Sequence, residues 1–149
     1  MSPKVSLITG IAAMALLSGC VAAVLPMPRH PALTRQLQRG AVSGVPQRVG
    51  FFYAVNADCS FSGLMHLDVE KSPAHGTVWF ATIKDYPSFR RVNREYYPCD
   101  RRKVRGVGVF YRSAADFTGA DRFLVEGVGP KGGLFRIEYL VTVLQNGGK

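Results

Sequence analysis

From Met65 to Glu70 apolar and polar residues alternate one for one, Met65, Leu67 and Val69 against His66, Asp68 and Glu70. A period of two marks a half-buried strand, and no segment of the chain carries the convincing helical period that an amphipathic helix needs. The chain is thereby restricted to sheets. Phe51, Phe52, Tyr53 and Val55 form a β-branched and aromatic run ended by Asn56-Ala57-Asp58, and folded structure is expected from near Val49. Ser72-Pro73-Ala74-His75-Gly76 turns the chain into a strand over Thr77–Ile83, which contains Trp79. Further strands are predicted over Val104–Tyr111, Phe123–Val128 and Leu134–Leu144, the last two joined by a hairpin at Pro130-Lys131-Gly132-Gly133. Short strands at this spacing predict an all-β fold, an antiparallel β-sandwich of about seven strands. Lys84 to Lys103 departs from the pattern: it lacks alternation and is too long for an ordinary sandwich connection.

The N-terminal region reads differently. Lys4 precedes an apolar run of about 15 residues, too short for a comfortable membrane span and of the length of a secretory signal. That run closes on Leu17-Ser18-Gly19-Cys20, which resembles the Leu-(Ala/Ser)-(Gly/Ala)-Cys lipobox of bacterial lipoproteins. The resemblance implies a signal peptide over residues 1–19, cleavage before Cys20, and diacylglycerol and further acyl chains such as palmitate on that cysteine. Val21 follows where many inner-membrane lipoproteins carry an aspartate, which favours the outer membrane over the inner one. Residues 20–47 hold Pro26, Pro28, Pro31 and Pro46 and read as a flexible tether with a reach of about 30 Å. Its Arg29, Arg35, Arg39 and Arg48 would either favour an anionic membrane surface or merely keep a linker solvated. The folded domain is expected over 48–145, with a short tail at 146–149.

With Cys20 acylated, Cys59 and Cys99 are the remaining thiols. In an oxidising compartment two cysteines most simply form one disulfide, and neither Cys-x-x-Cys nor Cys/His spacing suggests a redox or metal pair. Closing that loop is worth about 4 kcal/mol in the chain-entropy model. Residues 1–19 hold Lys4 as their one basic residue and no acid, so the formal charge of +9 falls by one, to about +8. Export removes nucleic acid from the partners of so basic a chain. It leaves lipid headgroups, lipopolysaccharide phosphates, peptidoglycan carboxylates and host polyanions.

Pro73-Ala74-His75-Gly76-Thr77-Val78 resembles the P-x-H-G-T-V strand opening of bacterial cadherin-like and immunoglobulin-like extracellular repeats. The family's second segment, Y-x-P-x-x-x-F-x-G-x-D-x-F-x-Y, is matched by Tyr111, Phe117, Gly119, Asp121 and Phe123, with Ser113 in place of the proline and Val125 in place of the last aromatic. The resemblance spans about residues 70–145. It implies an immunoglobulin-like sandwich used for adhesion or architecture, with His75 and Gly76 in a turn and Phe117 and Phe123 in the core. Gly119 would then take a backbone angle that other residues resist, and Asp121 would cap its own turn. No Asp-rich calcium linker accompanies the motif.

Candidate chemistry is sparse. His66, Asp68 and Glu70 would share a strand face at about 7 Å spacing, too divergent for a metal site without help from a neighbouring strand, so a solvated face explains them better. Asp58, Ser60, Ser62 and His66 lack the nucleophile elbow of a hydrolase, and Gly106-Val107-Gly108 and Gly127-Val128-Gly129 precede no helix that would make a phosphate loop. No catalytic residue, metal or cofactor is therefore expected. Arg90, Arg91, Arg94, Arg101, Arg102, Lys103 and Arg105 crowd one loop with Tyr96 and Tyr97. Arginine forks suit phosphates and carboxylates, tyrosines stack on sugars, and Cys99 would staple the loop and limit its entropy loss on binding. A solvated loop or a protein interface would carry the same residues. The expectation is a lipid-anchored, non-enzymatic envelope module that binds an anionic glycan, lipopolysaccharide, peptidoglycan or host ligand through residues 84–105. The alternatives are an assembly subunit docked on an envelope protein, or an inhibitor of a cell-wall hydrolase.

Overall fold

The computed structural model describes residues 34–147, so the expectations for residues 1–33 lie outside it. Eight strands follow in order: β1 (Thr34–Val42), β2 (Gln47–Val55), β3 (Phe61–Gly63), β4 (His66–Lys71), β5 (Gly76–Asp85), β6 (Val104–Ser113), β7 (Gly119–Val128) and β8 (Leu134–Leu144). A single 3-10 helix, Tyr97–Arg101, precedes β6, and the described residues contain no α-helix. The strands form two four-stranded sheets, β1-β8-β7-β4 and β3-β2-β6-β5. Both contribute to one core, with Ala41, Val49, Leu67, Val109, Phe123 and Val141 among its buried residues. The fold is therefore all-β and sandwich-like, with eight strands where about seven were predicted.

The predicted strands fall within β2 and β4–β8, and the Pro130–Gly133 hairpin joins β7 to β8, the Gly129 N–H donating to the Gly133 carbonyl at 2.8 Å. Two strands are additional. β3 is three residues long, too short to show a period. β1 lies inside the expected tether and pairs in parallel with β8 from Thr34↔Arg136 to Val42↔Leu144. The tether reading of 20–47 is corrected from residue 34 onward, as is a domain starting at 48. Arg39 is no linker charge: its Nε donates to the Val49 carbonyl at 2.7 Å and joins β1 to β2.

The connections sort onto two ends. Residues 43–46, 72–75 and 114–118 lie at one end, with the chain continuing past Leu144 there. The segment 86–103, the β3–β4 connection and the 129–133 hairpin lie at the other, where the chain also enters β1 at Thr34.

Tyr111, Phe123 and Tyr139 stack in a column through the core, at 5.8 and 4.6 Å between ring centroids. The Tyr139 hydroxyl, over Gly50, is buried without a hydrogen-bond partner. Burial pushes this phenol up to about 12, and raises Tyr111 too, with its bond to Asp121 adding to the effect. Below about pH 10 both phenols are protonated in folded and unfolded chains alike. Above it the unfolded chain ionises while the folded one keeps its protons, so stability falls as pH climbs through the folded values. Tyr139→Phe removes an unpaired polar group. It is expected to raise stability at neutral pH by up to about 1 kcal/mol and to shrink the alkaline loss. Urea unfolding at neutral and alkaline pH checks this, and a clear loss of stability at neutral pH would mean the hydroxyl is paired.

Candidate functional site: the stapled basic loop

The segment between β5 and β6 is built over a small core of its own. Val55 at the end of β2, Cys99 and Val104 at the start of β6 are buried there, and Phe51, Tyr53, Cys59, Phe89 and Tyr96 pack against them. The Phe89 ring meets Tyr53 edge-on at 5.1 Å and Tyr96 at 5.5 Å. The Ser88 N–H donates to the Tyr53 hydroxyl at 2.7 Å, and the Phe89 N–H to an Asp100 carboxylate oxygen at 2.9 Å. Burial raises the Tyr53 phenol, so it remains protonated as an anchor. Cys59 and Cys99 form the expected disulfide, with 5.4 Å between their Cα atoms. A segment rich in like charge is thus held in one shape by aromatic packing, backbone bonds and a covalent staple.

Packing of the interior separates the two tyrosines. Tyr96 turns inward onto Phe89, so its ring serves the loop's own core, whereas Tyr97 is 37% exposed. Arg90, Arg91, Arg94, Arg101 and Arg102 are exposed, and among the described residues none of them is in an ion pair. One of the nearby acids is already engaged. Asp85 pairs with Arg48 and accepts the Tyr86 N–H at 2.8 Å, and these contacts, the backbone bond first, hold its carboxyl below the usual range. Lys103 lies over the Tyr86 ring at 5.6 Å and Arg105 over Phe61 at 5.5 Å. The surface is a fixed scaffold carrying more cations than neighbouring acids, with Asp58 close enough to Arg102 for that arginine to help lower its carboxyl.

The turn motif lies at the opposite end and is structural. Asp121, 6% exposed, accepts four hydrogen bonds: from Ala74 N–H and Arg122 N–H on one carboxylate oxygen, from His75 N–H and the Tyr111 hydroxyl on the other, at 2.9–3.1 Å. It reaches across to the 72–75 connection as well as capping its own strand, which the sequence expectation of a local cap missed. His75 stacks on Phe117 at 4.1 Å, Phe123 is fully buried, and Gly119 has φ +121°. A Cβ at Gly76 would stand 2.6 Å from the Tyr111 ring, so only glycine fits there.

The remaining polar candidates do not converge. His66 pairs with Asp68 at 3.1 Å on an exposed surface, whereas Glu70 turns to Arg136 at 3.0 Å. Ser60 accepts the Asn56 side-chain amide at 2.9 Å, and Asp58 accepts the Ser60 N–H at 2.9 Å. Ser60 contacts, its side chain first, lower the Asp58 carboxyl. One surface was missed: Trp79, 38% exposed, stacks on Phe110 at 5.6 Å on the outer face of β5 and β6. Both parities of β5 are apolar, so alternation could not say that Val78 and Phe80 face inward and Trp79 outward.

No protein-family model matches this chain. No curated protein is significantly similar to it either.

Proposed function

We propose that this chain is a lipid-anchored cell-envelope binding module, attached through Cys20 and non-catalytic, which holds an anionic glycan or lipopolysaccharide on the 84–105 loop. In this reading the sandwich is immunoglobulin-like and serves as a rigid carrier. The observation that carries it is the five exposed arginines, without ion pairs among the described residues, on a loop fixed by Cys59–Cys99. Fixing the loop backbone in advance lowers the entropy lost when a multivalent anion binds. Arginine forks at an exposed surface favour phosphates and carboxylates over neutral sugars.

A second reading draws on β5. It is a ten-residue edge strand whose pairing with β6 has no register shift, and it exposes Trp79, so it offers an unprotected edge to a strand of an envelope protein. The two readings part on salt. Full-length chain in neutral detergent is incubated with peptidoglycan and with immobilised lipopolysaccharide across a salt series. A variant with Arg91, Arg94, Arg101 and Arg102 changed to Glu runs beside it. The loop reading expects binding to one ligand that weakens at least tenfold from low to high salt and vanishes in the variant. Equal binding by the variant, or none by the parent, would sink it. Salt-insensitive retention of an envelope protein would favour the edge strand.

A further inference from the structure

The cross-strand register sets Lys84 of β5 directly opposite Arg105 of β6. Like charges in that relation repel and cost stability. A third cation, Lys103, joins them around a cavity of about 370 Å³ whose other walls are Cys59, Phe61 and Val104. No acid lines it. The carboxylates that neighbour it in sequence are engaged, Asp85 with Arg48 and the Tyr86 N–H, Asp58 with the Ser60 N–H. The Phe61 ring holds the Arg105 guanidinium and the Tyr86 ring holds the Lys103 ammonium, so two of the three cations are pre-positioned at the rim. The disulfide ties the Cys59 wall to the loop.

Lys84 and Arg105 repel across the register with no acid lining the cavity, and Lys103, whose ammonium also feels the Asp85 carboxylate, joins them to make a site completed by an anion. We propose that this cavity binds a phosphate monoester. The inference rests on the anion-binding reading of the loop and narrows it to three residues that sit at its base. A phosphate dianion offers two charges and three terminal oxygens to one guanidinium fork and two ammonium groups, whereas a single carboxylate leaves most of the repulsion in place. The cavity, at about 370 Å³, is larger than a phosphate alone and leaves room for its carrier. The carriers to be tested are a sugar and a lipid glycerol.

Calorimetric titration of the full-length chain in neutral detergent decides between them. The probes are glucose 6-phosphate, glucose, and short-chain phosphatidic acid. Both phosphates are expected to bind and glucose not to bind. The tighter of the two identifies the source as sugar phosphate or lipid phosphate. The Lys84→Gln/Arg105→Gln double variant is expected to lose at least tenfold in affinity, and to melt no lower than the parent in phosphate-free buffer because the repelling pair is gone. Lys103→Gln, outside the register pair, tests the same cavity should the double variant be lost. Inorganic phosphate should raise the parent's melting temperature and leave the double variant's unchanged.

No response of the parent to either phosphate, or equal affinity in the variants, would overturn the proposal. A variant melting well below the parent would contradict the repulsion from which it starts. A parent that holds a glycan polymer but ignores glucose 6-phosphate sinks the cavity and leaves the loop reading intact. A parent that takes glucose 6-phosphate but no polymer does the reverse.

Discussion

A fragment beginning at Arg48 is expected not to fold, whereas one beginning at Thr34 is expected to fold cooperatively. Cutting at 48 removes β1 and, with it, the buried Ala41 and Ser43 and the half-buried Leu37 that packs on the core. It strips the parallel ladder from β8 along Arg136–Leu144, the strand that delivers Ile137, Tyr139, Val141 and Val143 to the interior. It also removes the Arg39 bond to the Val49 carbonyl. Each buried apolar side chain is worth about 1.5–3 kcal/mol, and a domain of this size has only about 5–15 kcal/mol to lose. Near-ultraviolet circular dichroism and thermal melting of the two fragments check the expectation. A sharp melting transition in the shorter fragment would show β1 to be dispensable.

The second large effect is expected at Asp121. Replacing it with Ala leaves the Tyr111 hydroxyl buried without an acceptor and strands the N–H groups of Ala74 and His75 in the turn. A buried donor left without a partner costs about 1–3 kcal/mol, more where the acceptor was ionised. Over three donors the loss is expected to reach at least about 3 kcal/mol, a large share of a small domain's stability. Asp121→Asn keeps an acceptor but turns an amide donor toward a cluster of donors, so it should fall between the parent and Ala. Urea midpoints rank the three. A loss under about 1 kcal/mol for Ala would mean that water replaces the carboxylate.

What the sequence disclosed follows the local character of each signal. β2 and β4–β8 are runs of six to eleven residues with apolar, aromatic or alternating patterns, and such patterns report burial directly. β1 reads Thr-Arg-Gln-Leu-Gln-Arg-Gly-Ala-Val, and its inward positions are Leu37, Arg39 and Ala41. One of the three is an arginine whose bond to Val49 no local pattern foretells, and its ladder partner lies about a hundred residues away. The prolines upstream of it then made the whole stretch resemble a linker. At the loop, the arginines were visible as composition, but the inward turn of Tyr96 depends on Phe89 and Tyr53, which only the fold brings together. Lys84 is informative solely through its register with Arg105, which no single strand displays.

The parallel pairing of β1 with β8 decides at which end of the sandwich the chain enters and at which it leaves. Thr34 leaves the sandwich at the end that carries the 86–103 segment, while residues beyond Leu144 leave at the other. With Cys20 as the proposed lipid attachment, residues 20–33 can pay out no more than about 50 Å of chain. The cationic pole is then the end nearer the lipid attachment along the chain, and the Asp121 pole is the farther one. A headgroup of the host membrane would reach the arginines before any soluble polymer could.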